Sequence, residues 1–468
     1  MTLANYPPIL KVAIEAHPSP GGISGIARFV ASLIHALGKL EEGAERYLIV
    51  VRSEESHAWV KSLLGPNQEI VFEPQSVREV ERLKRKRGGM SLIGLAKTAL
   101  GPLLPAARGV KQFINLQRNW PEVPLSDGFY ESLGCDVLHI PNQPFFLCSI
   151  PTVYNPHDLQ HLHYPQFWAP EVIAWRETIF PAGCHFAHTV VVGSQWVKRD
   201  VIRRYRTDPD KIQVIFEAPT TESQPAPSED ALSTVRHKYQ IDQPFALYPA
   251  ATWQHKNHIR LLEALALLRD TKGLIVPLIC TGKQRKDFWP RIEACLQELK
   301  LSPQVRFLDH VSDGDLRGLY GLSQFLVLPT LLEAISLPIF EAWQAGLPVA
   351  CSNATALPEQ VRDAALMFDP TSSESIAHAV GRMATESELR RDLRRRGNRR
   401  IKDFTWERTA KAYRAVYRRA AGFPLSEEDR WLLSWDWAQN SDKVQDKEGT
   451  TEKRTTHIPV ASASLAGN

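Results

Sequence analysis

No run in this chain approaches the roughly 18–20 consecutive apolar residues that a membrane-spanning helix needs. The first twenty residues, "MTLANYPPILKVAIEAHPSP", lack a charged start leading into a long apolar stretch, so a cytoplasmic chain without an export signal is expected. Cysteine is sparse: Cys135, Cys148, Cys184, Cys280, Cys295 and Cys351 are scattered with no C-x-x-C pair, which argues against a disulfide framework and against a zinc site. A net charge of +4 is too small to argue for nucleic acid. The dinucleotide fingerprint G-x-G-x-x-G is absent, which removes the nicotinamide reading.

What is present is the composition of a globular protein, 43% hydrophobic and 23% charged over 468 residues, a length that suits two or three domains. Short apolar runs recur, rich in Val, Ile and Leu without polar alternation: "LKVAIEA", "YLIVV", "EIVFE", "DVLHIP", "IPTVYNP" and "HTVVVGS", then "FALYPAA", "LIVPLICTG", "VRFLDHV", "FLVLPT", "LPVACSN" and "ALMFDP". Such runs suit strands buried on both faces of a parallel sheet. Amphipathic stretches such as "GIARFVASLIHALGKL" and "HIRLLEALALLRD" separate them. The order predicts an α/β protein of two facing Rossmann-like, doubly wound domains with a cleft between them. The first domain is placed at 1–218 and the second at 241–403. A linker at 219–240 covers the polar "APTTESQPAPSEDAL", and a disordered tail runs from 438 to 468. Residues 76–120 form a strongly basic, Leu-rich insertion. It reads either as a solvated helix pair or as a surface lying on an anionic membrane.

Ligands of such folds sit at the carboxyl ends of the strands, so the informative residues follow strands. After the first strand, "AHPSPGGISGIARF" brings Gly21, Gly22 and Gly25 to a helix start, where backbone N–H groups can meet an anion. After "IPTVYNP" stand His157 and Asp158. His161 and His163 follow, but no further ligand completes a metal set. "ATWQHKNH" puts Lys256 and Asn257 in the turn before a helix, where a lysine can neutralise a diphosphate or simply face solvent. In "LLEAISLPIFEAWQAGLPV", Pro338 suits the first helical turn and Gly346 the helix end. Glu333 then lies in the loop and Glu341 inside the helix. Two carboxylates bracketing a helix start, with loop N–H groups free between them, match the hydroxyls and diphosphate of a nucleotide sugar.

The stretch from "VRFLDHVSDGDLRGLYGLSQ" through "FLVLPTLLEAISLPIFEAWQAGLPVACSNATALPEQVRDAALMFDP" resembles the C-terminal domain of the retaining glycosyltransferases of family 4, which have the GT-B fold. "GGISGIARF", "NPHDLQHLHYPQFW", "VVGSQWVKRDVIRRYRTDPDKIQVI" and "FTWERTAKAYRAVYRR" resemble the same family. The resemblance implies that the first domain takes the acceptor and the second the nucleotide-sugar donor, with helices at 404–437 crossing back to the first. It makes Glu333 and Glu341 the Glu-x7-Glu pair, facing the donor sugar and the nucleotide ribose. Lys256 contacts the diphosphate, Gly21 and Gly22 belong to the loop that closes over it, His157 stands beside the reacting sugar, and Asp158 fixes its loop. Asn257, Ala334, Ile335, Ser336 and Leu337 complete the donor site.

The implied reaction is hexosyl transfer to a glycan or lipid-linked acceptor in polysaccharide synthesis, without metal or other cofactor and without nucleic acid. GDP-mannose or UDP-glucose is the type of donor, and an anionic membrane is a further partner through 76–120. Two departures matter. Where the family commonly has Gly-Phe-Gly after the first glutamate, this chain has Ala334-Ile335-Ser336. Where many members have an arginine five residues before the lysine, it has Ala251, with Lys283 as a candidate replacement. They keep open a non-catalytic nucleotide-sugar-binding protein, and a nucleotide-sugar epimerase on the same fold.

Overall fold

The computed structural model describes residues 9–17, 25–74, 123–219 and 226–437. The basic insertion at 76–120, the tail from 438, and Gly21 and Gly22 lie outside them.

Seven strands form the first sheet: β1 (Leu10–Glu15), β2 (Glu45–Val51), β3 (Gln68–Phe72), β4 (Val137–Ile140), β5 (Thr152–Tyr154), β6 (Thr189–Val192) and β7 (Ile212–Val214), in the order 3-2-1-4-5-6-7. Six form the second: β8 (Ala246–Pro249), β9 (Leu278–Thr281), β10 (Val305–Phe307), β11 (Phe325–Leu328), β12 (Val349–Ser352) and β13 (Leu366–Phe368), in the order 10-9-8-11-12-13. Every strand pairing is parallel. The inner strands are buried along their whole length, as their unbroken apolar runs require, and helices cover both faces. All the expected strands are present. β7 is additional, its short apolar run interrupted by Gln213.

Helix starts carry the chemistry that their exposed N–H groups call for. Ser194 accepts from Val197 N–H at 3.2 Å, Ser312 from Asp315 N–H at 3.1 Å, and Thr405 from Arg408 N–H at 3.2 Å. The linker is shorter than the expected 219–240. Glu229–Lys238 is a helix, started by Ser228, whose Val235 lies against Gly318 of the second unit. The polar composition that suggests a connector belongs to its solvent face.

The helix Trp406–Ala420 returns to the first unit and is held there by a buried polar chain. The Tyr417 hydroxyl bonds His139 Nδ1 at 2.8 Å, His139 Nε2 bonds Asn155 Oδ1 at 2.8 Å, and Asn155 Nδ2 donates to the Tyr413 hydroxyl at 2.8 Å. Directions follow from Asn155: its oxygen accepts, so His139 carries its proton on Nε2, and Nδ1 receives the Tyr417 proton. Each buried polar atom thereby has a partner, which avoids a penalty of about 1–3 kcal/mol per orphaned group.

Burial lowers the imidazole pKa of His139 from 6.5 to about 4, and that of His258 to about 3. Unfolding returns both rings to water, where they bind protons more readily. The stability they contribute is therefore complete above pH 6.5 and is lost as pH falls toward the folded values. Between pH 7 and pH 5 each ring is expected to cost about 2 kcal/mol of unfolding free energy. Urea unfolding at the two pH values checks this, and an unchanged midpoint would contradict it.

Candidate active site

Because the strands are parallel, each unit presents the carboxyl ends of its strands to the gap, where segments after β5 and β6 meet those after β8, β9, β11 and β12. The contacts across it are specific. The Tyr164 hydroxyl donates to Leu331 O at 3.3 Å, Arg199 pairs with Glu359 at 2.6 Å, and the rings of Trp168 and Trp253 stack 6.3 Å apart. Gly193 faces Ala334 and Ile335 across the gap, where an added Cβ would meet Ala334 O at 3.8 Å, an ordinary contact distance.

On the second-domain side, Lys256 closes a short 3-10 turn, Gln254–Lys256, after β8, and its Nζ lies 2.5 Å from Glu333 Oε1 in the loop after β11. The Tyr248 hydroxyl donates to Lys256 O at 2.5 Å and fixes the turn from below. Thr355 pins the backbone of Glu333 from both sides, accepting its N–H at 2.9 Å and donating to its carbonyl at 2.8 Å. The helix Leu337–Gln344 has Pro338 in its first turn, and Gly346 follows it at φ +66°, in the left-handed region that a helix end exploits. Glu341 lies on this helix, one oxygen accepting the Tyr320 hydroxyl at 2.8 Å and the other 3.9 Å from Arg28 of the first unit. Arg28 also pairs with Asp313 at 2.8 Å, so one guanidinium from the start of helix Gly25–Gly38 spans the gap.

Not every expected donor is available. The N–H of Ser336 is committed to Gln360 Oε1 at 2.9 Å, and the Gln360 amide donates back to Ser336 O at 2.8 Å. The expectation of free N–H groups between the two glutamates therefore fails at Ser336, because the first-helix loop is stapled to the next one. Ser336 is buried, whereas Ala334, Ile335 and Leu337 are partly exposed. Asn257 also has another job. At φ +62° it starts the helix His258–Lys272, and its amide donates to Pro329 O at 2.9 Å and Pro370 O at 2.8 Å, bracing the loops after β11 and β13. Lys283 is exposed after β9, where its carbonyl accepts from Thr252 N–H at 3.1 Å, beside Ala251.

On the first-domain side, His157 is held at φ +64°, an uncommon conformation for a residue with a Cβ. Its Nε2–H donates to Pro141 O at 2.8 Å, its ring meets Phe29 edge-on at 5.6 Å, and burial lowers its pKa, so the ring is neutral near pH 7. Asp158 Oδ1 accepts from Gln160 N–H at 3.1 Å. His161 and His163 are tied by hydrogen bonds to Glu177 and Asp200 at 2.8 and 2.7 Å, which gives them a structural role.

Sequence reasoning missed Arg176. It is buried over the Trp168 ring, 4.1 Å from its centroid, donates to Gln143 Oε1 at 3.1 Å, and stands 3.8 Å from Asp158. Its Nε and Nη1, with Asn142 Nδ2 and Trp168 Nε1, have no hydrogen-bond partner among the described residues. Only the tertiary meeting of a helix with loops brings these donors to the same region. Thr355 and Gln360 were equally invisible as supports, whereas Arg28 stood in the quoted "GGISGIARF" and was passed over.

One grouping among the described residues has the chemistry of a metal site: Glu15, His17 and Glu73, at the ends of β1 and β3. Arg52 already bonds Glu73 and reaches Glu15 at 3.3 Å, so a guanidinium occupies the place of the cation.

Two wholly parallel α/β units facing each other, with a lysine–carboxylate pair and a second glutamate on one lip and Arg28 reaching that glutamate from the other, define a two-domain, cleft-binding class. Matches to known families are more specific. The family described as "Glycosyl transferases group 1" matches residues 234–400, and "Glycosyltransferase Family 4" matches residues 101–218. The chain belongs to glycosyltransferase family 4 and has the GT-B fold.

Among its relatives, the O-antigen chain mannosyltransferase B of Escherichia coli is 29% identical over 268 residues, 56% of this chain and 69% of that protein. The O-antigen chain mannosyltransferase RfbU of Salmonella typhimurium is 25% identical over 236 residues, 50% of this chain and 62% of that one. The chain spans only 23% of a third relative, the serotype-specific mannosyltransferase WbdA of Escherichia coli. Among solved structures, Anabaena Alr3699/HepE in complex with UDP and glucose superposes with a TM-score of 0.62 at 14% identity, over 87% of this chain and 99% of that one. WaaG, a glycosyltransferase involved in lipopolysaccharide biosynthesis, gives 0.56 at 15% identity over the same shares. No helix among the described residues is long and apolar enough to cross a membrane.

Since the Asn257 amide satisfies two carbonyls, Asn257→Ala is expected to lower stability by about 1–3 kcal/mol, beyond any effect on ligand binding. Thermal or urea unfolding of the ligand-free variant measures it. Wild-type stability would show that the two loops hold without the amide.

Proposed function

We propose that this protein transfers a hexosyl group from a nucleoside diphosphate sugar to a glycan or lipid-linked acceptor, retaining the anomeric configuration and using no metal. The observation that carries this reading is the 2.5 Å pairing of Lys256 with Glu333, with Glu341 eight residues on and aimed at the same gap. The names of the relatives favour a mannosyl donor.

In this reading the bond from the sugar C1 to the diphosphate oxygen breaks first, leaving oxocarbenium character on the ring. The acceptor hydroxyl attacks C1 on the face the leaving group departs from, and its proton passes to the departing diphosphate. Lys256 stabilises the charge that grows on that diphosphate, and Glu333 orients both the lysine and the sugar hydroxyls. Glu341 takes the ribose hydroxyls, exchanging its long contact with Arg28 for shorter ones. The neutral His157 ring can accept a sugar hydroxyl proton at Nδ1, because Nε2 is already donating. The donors of Arg176, Asn142 and Trp168 that lack a hydrogen-bond partner among the described residues are read as the groups that meet acceptor oxygens. Asp158 balances the guanidinium charge there, which suits a neutral saccharide. The basic segment at 76–120 is read as the membrane contact that brings a lipid-linked acceptor within reach.

Purified protein is expected to rise in melting temperature with GDP or UDP and their sugars, and to transfer hexose with an unchanged anomer by NMR. Glu333→Ala and Lys256→Ala are each expected to lower kcat by about 10²–10³-fold, the scale of losing one preorganised electrostatic contact. No nucleotide binding and no turnover, with any donor of the UDP and GDP series, would reject the reading.

A further inference from the structure

The second unit carries a cavity of about 740 Å³ that plays no part in the reaction above. Its walls include Arg236 from the helix Glu229–Lys238, and Ser387, Arg390, Arg391 and Arg394 from the helix Ser387–Arg400. Its floor is apolar, with Ile241, Pro244, Leu322 and Pro348 just before the starts of β8, β11 and β12. These are the opposite ends of the strands whose far ends carry Lys256 and Glu333, roughly 13 Å away for strands of four residues.

The charges do not cancel. Arg391 is paired with Glu388, and Arg390 donates to Met383 O and Ala384 O at 2.6 and 3.1 Å, closing the preceding helix. No carboxylate among the described residues is within ion-pair distance of Arg236 or Arg394, and Asp242 is the one acid lining the cavity. Arg390 and Arg394 stand four residues apart on one helix and both line the cavity, and burial together with the Arg394 charge lowers the Arg390 pKa. Four arginines against one acid on the walls of a single cavity leave a positive potential there, which a bound anion offsets. The helix Ser387–Arg400 also begins at the rim, adding its positive end.

We infer that this cavity binds a phosphate-bearing ligand, with Arg236 and Arg394 gripping the phosphate and the apolar floor taking the rest of the molecule. Guanidinium pairs suit phosphate oxygens, and the volume is that of a small-molecule site. The phosphate can come from a free metabolite or from a lipid headgroup, and the two sources are separable.

The free source is tested by titrating inorganic pyrophosphate, by calorimetry, into full-length protein carrying Lys256→Ala, which disables the cleft site. Adding Arg236→Glu and Arg394→Glu, both exposed and remote from the cores, is expected to weaken binding at least tenfold. Raising salt from 0.05 to 0.5 M is expected to weaken it as well. The lipid source is tested with phosphatidylglycerol vesicles on protein whose Lys84, Arg85, Lys86 and Arg87 are all serine, so that the other basic segment is silent. Loss of vesicle binding on charge reversal, without pyrophosphate binding, assigns the phosphate to lipid. If the two glutamates change neither pyrophosphate nor vesicle binding by more than twofold, the inference is overturned. That result would leave the reading of the cleft untouched, since Glu333 and Lys256 are tested separately.

Discussion

Everything in this molecule follows from strands that all run the same way. A parallel pair cannot be joined by a tight turn, so each connection must cross a face of the sheet, and every strand must release its chain at the same edge. Two such sheets, facing edge to edge, bring the loops of both units into one gap. The return of the helix Trp406–Ala420 to the first unit then fixes how the edges face. Its tyrosines close the polar chain through His139 and Asn155, and Asn155 stands two residues before His157. The same contact that docks the C-terminal helix therefore sets the loop that carries the candidate site histidine.

The gap is organised by charge exchange. Lys256 is neutralised by Glu333, and Arg28 is shared between Asp313 and Glu341. Neither cation is bare, and neither pair is buried deeply enough to make its separation prohibitive. Such pairs hold the side chains in place while the gap is empty. A ligand bearing both hydroxyls and phosphate can then offer each group a replacement partner. The 3.9 Å between Arg28 and Glu341 is the looser of the two bridges, and it joins the two units.

The fold was legible almost entirely from pattern, since buried parallel strands write themselves as unbroken apolar runs. Twelve of the thirteen strands stood out, and β7 escaped because Gln213 interrupts its apolar run after the polar segment at 206–211. Site residues set by local chemistry were legible too. Pro338 and Gly346 frame a helix, and that frame puts Glu333 in the loop and Glu341 on the helix. What the sequence hides is long-range partnership. Nothing in "ATALPEQ" announces that Thr355 and Gln360 hold the Glu333–Ser336 loop, so its N–H groups look free. Asn257 looks like a ligand contact because it adjoins Lys256, yet its amide is turned to two carbonyls more than seventy residues away. Arg176 is a further case, since a helix sequence does not reveal which residue will be buried without enough acceptors.

The committed N–H of Ser336 and the alanine at 251 bear on the same question, the charge of the diphosphate in the proposed reaction. A diphosphate placed beside Lys256 also comes close to the Glu333 carboxylate, and the lysine charge is already half engaged. Additional positive potential is required, and the loop that was to supply it through backbone donors has one fewer to give. Lys283 is a candidate for that role, because its carbonyl accepts from Thr252 N–H and Gly282 lies against Ala250 and Ala251 with no room for a Cβ. The close packing at Gly282 ties the loop after β9 to the loop after β8. A lysine anchored in the first can then act where a family arginine would have stood in the second.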